Sequence, residues 1–406
     1  MATIAALGAC MKLGEDLEHA NDDGAEALRV RAALAEAYGR LRRWLFEDAL
    51  PIWQAKGADP AGGYHDRLNQ DGTPAPGPKR LRVQARQAHV YAIAARLGWQ
   101  GPAEAACRHG LDFVLGRRQA SDGFYRIDPS RPPAPLDGMG ELYDQAFVLL
   151  ALASGQGLFG GGHYEAAAQA LRESLATCAL PCGGFSEAPG FTEPLFANPN
   201  MHLYEACQAW VEVSFDPDWR SATMSLTKLA LDRLIDPRSG VLYESYDAEW
   251  RAPAQVGEQV VWPGHLYEWA WLLMNCPQGG PAGLAAALRL IEVAERTGVD
   301  PARGVAIFAL GGDLAPADRG ARLWSQTERL RACLRAAALT KNAALWRAGL
   351  DASRALEAFL DVPTPGLWRD WMDEAGRFRE EPAPASSLYH IVGAIAELAR
   401  QTSSAP

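Results

Sequence analysis

Two identical tetrapeptides, HLYE, stand at residues 202–205 and 265–268, in the contexts NPNMHLYEACQAW and WPGHLYEWAWLL. The chain has only eight histidines, so the repetition asks for a chemical reading. On a helix, residues three apart share a face, with roughly 5–6 Å between their Cβ atoms. The spacing therefore predicts that His202 meets Glu205 and that His265 meets Glu268. A carboxylate beside an imidazole fixes its tautomer and raises its basicity. Such pairs have three uses: holding a divalent ion, acid–base catalysis, or plain satisfaction of a buried histidine. H-E-x-x-H and H-x-x-E-H are both absent. Two copies one repeat apart, with His390 as a third histidine on another helix, favour catalysis, and no metal is expected.

Histidine titrates near neutrality, so it can both take and return a proton. Proton transfer at a carbon next to a carbonyl, as in open-chain sugars passing through an enediolate, fits several histidines with no nucleophile in view. Arg86 could stabilise the oxyanion that develops. No G-x-S-x-G, Walker loop or dinucleotide fingerprint occurs in a convincing context, so no cofactor is expected. Two readings from other classes stay open. A glycosidase would rest on two carboxylates and dispensable histidines. A scaffold of helical hairpins would fill its centre with apolar side chains.

The elements that must position these groups show in a repeat. A glycine followed by aromatic or β-branched residues recurs at Gly63, Gly123, Gly184, Gly240, Gly304 and Gly366, at intervals of 56 to 64 residues. Each reads as a turn with a short strand. Between them lie Ala- and Leu-rich segments with apolar residues at three and four spacing. They predict helices at about 24–48, 80–98, 102–117, 141–155, 162–178, 199–214, 217–234, 264–276, 281–296, 321–338, 342–359 and 386–402. Two helices per unit and six units predict an all-α fold. The expectation is an (α/α)6 barrel with short β-hairpin-like loops, rather than an open solenoid, as one catalytic domain over 1–406. The second helix of each pair should form the inner ring. That set carries Arg86 and His89, Asp144, His202 with Glu205, His265 with Glu268, Trp324 with Glu328, and His390. The other set carries only His109 and His163, both near helix ends.

Composition narrows the partners. The formal net charge is −10 and no basic run occurs, which argues against nucleic acid. No stretch approaches the about 18 apolar residues of a membrane span. Seven cysteines, with no C-x-x-C, read as reduced thiols in a cytoplasmic protein. The expected partner is a small sugar, and the expected state a monomer or homodimer.

At this point the motifs resemble, over essentially the whole chain, the N-acylglucosamine 2-epimerase superfamily. That group includes cellobiose 2-epimerases, mannose isomerases and sulfoquinovose isomerases on an (α/α)6 barrel. VQARQAHVYA resembles its N-x-R segment, which implies Arg86 as a sugar contact. NPNMHLYEA resembles N-x-x-M-H-x-x-E-A, which implies Asn198, His202 and Glu205. PGHLYEWAWLL resembles P-G-H-x-x-E-x-x-W, which implies His265 as a catalytic histidine and Glu268 as its partner. LWSQTE resembles W-W-P-Q-x-E, which implies Trp324 as a stacking surface with Glu328 nearby. SSLYHI resembles the terminal Y-H-I segment, which implies His390 as the second catalytic histidine.

Departures from the family pattern choose a branch. Cellobiose 2-epimerases resemble W-K-G-P-Y-H before the last histidine, whereas this chain reads PAPASSLYH, with Ala385 where the tryptophan would sit. Ser387 and Leu388 are closer to the mannose isomerase branch. The resemblance thus implies interconversion of D-mannose and D-fructose, with His390 as the C2 base and His265 as the partner acid. A 2-epimerase, or an isomerase of mannose 6-phosphate with Lys79, Arg80 and Arg82 at the cavity mouth, is the alternative.

Overall fold

Helices dominate the chain, and their burial separates them into two kinds. The computed structural model describes residue 26 and residues 28–119, 121–127 and 141–402. The start of the first expected helix and the segment holding Cys10 lie outside these. Twelve helices follow among the described residues: α1 (28–57), α2 (Leu81–Arg96), α3 (Ala103–Leu115), α4 (Glu141–Phe159), α5 (His163–Leu175) and α6 (Ala197–Val213). The second half holds α7 (Pro217–Leu229), α8 (Pro263–Met274), α9 (Gly280–Thr297), α10 (Leu323–Thr340), α11 (Ala343–Leu360) and α12 (Ser386–Thr402).

The even-numbered helices are buried almost all round; every residue of α4 from Glu141 to Gly155 is buried. The odd ones are amphipathic. In α9, Leu290, Ile291 and Ala294 face inward while Arg289 and Glu292 pair in solvent. Successive even helices pack on one another, and α12 packs on α2, so the ring closes as an (α/α)6 barrel and not as an open solenoid. Stacked indoles fasten the outer ring to the inner: Trp210 of α6 and Trp219 of α7 lie 5.1 Å apart.

Helix ends agree with the sequence pattern to within a few residues, with two exceptions. The pattern predicts that α1 stops at 48, but it runs on to 57 through π-helical turns at Trp44–Ala49 and Trp53–Gly57. The wider turn accommodates Pro51, which lacks an N–H and crowds the carbonyl four positions back. Helix α4 continues past Gly155 to Phe159; the glycine there is a packing residue and not a stop, since a side chain would collide with Leu111 and Tyr164.

Among the described residues, five small antiparallel sheets form in the loops over one end of the barrel. All six repeat glycines have φ between +69° and +86°, a conformation that favours glycine. Four of the units share a device the sequence did not suggest. An amide in the first turn of the inner helix clamps the backbone of a residue just after the glycine, bonding both its N–H and its C=O. Gln84 holds Tyr64, Gln145 holds Tyr125, Asn200 holds Phe185 and Gln326 holds Ala306. These groups satisfy backbone atoms that would otherwise be buried without partners.

Candidate active site

The N-terminal ends of all six inner helices point to the loop-covered end of the barrel. Side chains in their first two turns therefore converge, because Cβ atoms on a helix tilt toward its N-terminus. They enclose a cavity of about 240 Å³. Arg86, Asn198, His202, His265, Glu268, Trp324 and His390 all line it. An aromatic wall completes it: Trp324, Trp262 and Phe308, with Trp262 4.9 Å from Phe308 and 6.3 Å from Trp324. The glycine of the PGH segment is explained here. A Cβ on Gly264 would lie 2.3 Å from the Trp324 ring, so only glycine admits that ring.

Trp324 sits between two histidines, its ring 5.0 Å from that of His265 and 5.8 Å from that of His390. Each imidazole is fixed through Nδ1 by a carboxylate. His390 Nδ1 lies 2.8 Å from Glu328 Oε1. His265 Nδ1 lies 2.9 and 2.8 Å from the two oxygens of Glu244. That last contact corrects the expectation that Glu268 partners His265. His265 is in the first turn of α8, and its side chain leans back toward the loops rather than forward to the next turn. Glu244 comes from the loop before the strand Ser245–Tyr246 and is pinned there. Its N–H donates to Val260 and its carbonyl accepts from Ala197. Glu268, one turn deeper, faces His202 instead, with 3.9 Å between His202 Nδ1 and its carboxylate.

Glu205 and Glu328 do not line the cavity as substrate contacts. Each lies behind a histidine, two turns down its helix. Glu205 is 3.4 Å from His202 Nδ1 and accepts a hydrogen bond from Tyr389. Glu328 is fully buried and accepts from Arg331 at 2.7 Å as well as facing His390. Asp144 pairs with Arg82 at the rim. His89 is turned to the other end of the barrel, where Nδ1 meets Ser154 at 2.7 Å. Lys79 is held by Asp59 away from the cavity, whereas Arg80 and Arg82 do line it, joined by Arg322.

Burial sets the charges. It drives His202 down to about 4 and His390 well below the ordinary histidine value, with Arg86 and Arg331 adding to the effect on His390. Both are neutral imidazoles at neutral pH. Burial, then Glu328 and Glu205, pushes Glu268 well up. Burial also raises Glu328, to about 7, although Arg331 pulls the other way. Burial would raise Glu205 too, but His202, Arg331 and Tyr389 outweigh it and hold the group ionised. Donor atoms of His202, Glu205 and Glu268, and of Glu268, Glu328 and His390, lie within 4.8 Å of one another, the spacing a cation would need. Hydrogen bonds from Arg331 and Tyr389 already engage Glu328 and Glu205, so the cluster is cross-linked by the protein's own donors.

Two buried polar atoms in the cavity wall have no partner among the described residues: Arg86 Nε and Asn198 Oδ1. Arg86 is itself steered by Tyr143, to whose hydroxyl it donates at 2.8 Å, and by Phe147, whose ring centre is 4.0 Å from the guanidinium carbon. Tyr143, Trp262, Phe308, Glu244 and Arg331 were not singled out from sequence. Trp262 and Tyr389 directly precede the PGH and HI segments, which was the available signal; Glu244 had none.

The model of the N-acylglucosamine 2-epimerase (GlcNAc 2-epimerase) family matches residues 62–394. The chain belongs to that family. It is 42% identical over 375 residues to a mannose-6-phosphate isomerase of Rhizobium meliloti (strain 1021), covering 89% of this chain and 96% of the relative. Solved structures share the fold at lower identity. One of D-mannose isomerase superposes with a TM-score of 0.77 at 21% identity, covering 90% of this chain and 97% of its own. A cellobiose 2-epimerase from Bacillus thermoamylovorans B4167 gives 0.78 at 16%, covering 89% and 99%. This epimerase-family enzyme is thus a sugar isomerase or 2-epimerase. Among the described residues lining the cavity Glu268 is the one carboxylate, so a glycosidase pair facing a scissile bond is not assembled.

Proposed function

We propose that this enzyme interconverts an aldose of the mannose type and its 2-ketose by histidine proton transfer. The observation that carries the reading is the pair His265 and His390. Both line one cavity on either side of Trp324, and each has Nδ1 fixed by a carboxylate and Nε2 without a hydrogen-bond partner among the described residues. For His390, a carboxylate that accepts the Nδ1 proton leaves Nε2 with its lone pair, the state a base requires; for His265, Glu244 balances the charge of the imidazolium that an acid requires.

His390 Nε2 takes the proton from C2 of the open-chain aldose. The C2–H electron pair forms the C1=C2 bond, and the carbonyl pair moves onto O1, giving an enediolate. Arg86 faces that charge. His265, as the imidazolium, protonates O1 and takes up the proton that leaves O2, whose electron pair forms C2=O while His390 returns its proton to C1. Incubating D-mannose in deuterated water tests this. Deuterium at C1 of fructose supports it, whereas deuterium at C2 of an epimeric aldose with little ketose assigns the enzyme to the 2-epimerases.

A second reading, the 6-phosphate of the same sugar, is favoured by Arg80, Arg82 and Arg322 on the cavity wall and by the name of the 42% identical relative. Their carboxylates, Asp66, Asp144 and Asp370, do not line the cavity. The ratio of kcat/KM for mannose and mannose 6-phosphate, with and without Arg80→Gln, separates the two.

A further inference from the structure

Behind the catalytic histidines the barrel holds a second cavity, of about 410 Å³, open at the end where the inner helices finish. Two charged side chains stand between the compartments, Glu205, which faces His202, and Arg331. Arg331 lines the distal cavity, is 5% exposed, and reaches forward to Glu328, the partner of His390. Its guanidinium is fixed in place. It stacks on Trp271 with 3.8 Å from its carbon to the ring centre, and it packs close to Gly393.

Three carboxyl groups, Glu205, Glu268 and Glu328, are buried together around this guanidinium, with His202, His390 and Tyr389 between them. Arg86 is the other cation acting on the group, from the catalytic side. In such surroundings like charges repel strongly, and one or more of the carboxyls takes up a proton unless a counter-charge stands beside it. The consequence for catalysis is a matter of hydrogen-bond direction. As a carboxylate, Glu328 accepts the Nδ1 proton of His390 and leaves Nε2 free to act as a base. As a carboxylic acid it donates to Nδ1 and places the imidazole proton on Nε2, where the base is lost.

We propose that Arg331 is a positioning residue for the proton-transfer reaction: it holds Glu328 as a carboxylate and thereby keeps His390 in the basic tautomer. This rests on His390 being the base, as argued above. The pH behaviour follows with a definite sign. Glu328, raised to about 7 by burial against the pull of Arg331, sets the acidic limb of activity, and protonating it switches His390 off. Without the guanidinium the limb moves to higher pH.

The test is kcat/KM against pH for Arg331→Met and Arg331→Lys, on whichever aldose the enzyme turns over. Arg331→Met should move the acidic limb up by one unit or more and lose about fivefold or more near pH 7, with activity recovering at higher pH. Arg331→Lys should lie closer to the native profile. Because the side chain enters from an open cavity, millimolar guanidinium should restore part of the activity of Arg331→Ala, with no effect on the native enzyme. Infrared spectra with carboxyl-labelled glutamate read the same event without any substrate. Arg331→Met should gain a protonated-carboxyl band near pH 7, and this remains decisive even if mannose proves not to be the sugar. An unmoved limb, or a loss equal at all pH values without guanidinium rescue and without the new band, overturns the proposal and leaves Arg331 a structural residue.

Discussion

Replacing Glu244 by glutamine probes the least expected contact in the site. The carboxylate is 13% exposed and both its oxygens lie within 2.9 Å of His265 Nδ1, so solvent screens it little. To act as an acid His265 must carry a proton on both ring nitrogens, and Glu244 supplies the counter-charge to that imidazolium. A hydrogen bond to a charged group contributes about 1.5–3 kcal/mol. At roughly 1.4 kcal/mol per tenfold, the substitution should lower kcat by about 10- to 150-fold. Glutamine keeps the shape, and the backbone of residue 244 remains pinned by Val260 and Ala197, so the melting temperature should move little. KM should also stay near its native value if the contact acts in the transition state. Glu268→Gln is the control. Glu268 is held well above the ordinary carboxylate range by burial and by its two acidic neighbours, so a neutral amide resembles the state it already occupies and should cost less. Sugar conversion followed by chromatography, together with thermal melts, measures both variants. Native kcat in Glu244→Gln with a large loss in Glu268→Gln would refute the assignment of partners made here.

Other outcomes follow from the same geometry. His390→Ala should abolish both mannose conversion and the appearance of deuterium at C1, measured by NMR in deuterated water. Activity should survive exhaustive chelation, since the catalytic imidazoles are held by the protein's own carboxylates; loss restored by a divalent ion would contradict this. His202, driven to about 4 by burial, binds its proton only in the unfolded chain between pH 6.5 and about 4. Folded stability should therefore fall with pH across that window, by up to ~1.4 kcal/mol per unit, and His202→Gln should flatten the slope in denaturant titrations. Gly366→Ala places a Cβ 2.6 Å from the backbone of Asp48 at φ +86°. It should cost about 2–5 kcal/mol, seen as a clear drop in melting temperature.

The ring was legible because it is written six times. Glycine spacing and helical periodicity report the same unit, and the chemical residues fell on alternate helices, which is where they are. The histidines, Arg86, Asn198 and Trp324 could be placed for the same reason. What periodicity does not give is depth. Glu205 shares a face with His202, and Glu328 faces His390 from the neighbouring inner helix, but both lie further down the axis, which turns expected sugar contacts into supports. Pairing across the chain was equally hidden. Glu244 reaches His265 from a loop 21 residues away, held by strand partners that no local pattern announces. The Trp262 and Phe308 wall depends on the small sheet that joins Val260–Val261 to Ala309–Gly311.

The amide clamps at Gln84, Gln145, Asn200 and Gln326 bind only main-chain atoms of the loops they hold. A loop anchored in this way is indifferent to the identity of its own side chains beyond the anchored residue. The barrel therefore behaves as a socket with interchangeable fittings. Loop segments that carry residues such as Phe308, which follows the clamped Ala306, can be exchanged between relatives, leaving the histidines on the inner helices undisturbed. Selection for a new sugar would be expected to act first on those fittings, and chimeras that swap whole glycine-to-helix segments are the natural unit for redesigning this enzyme.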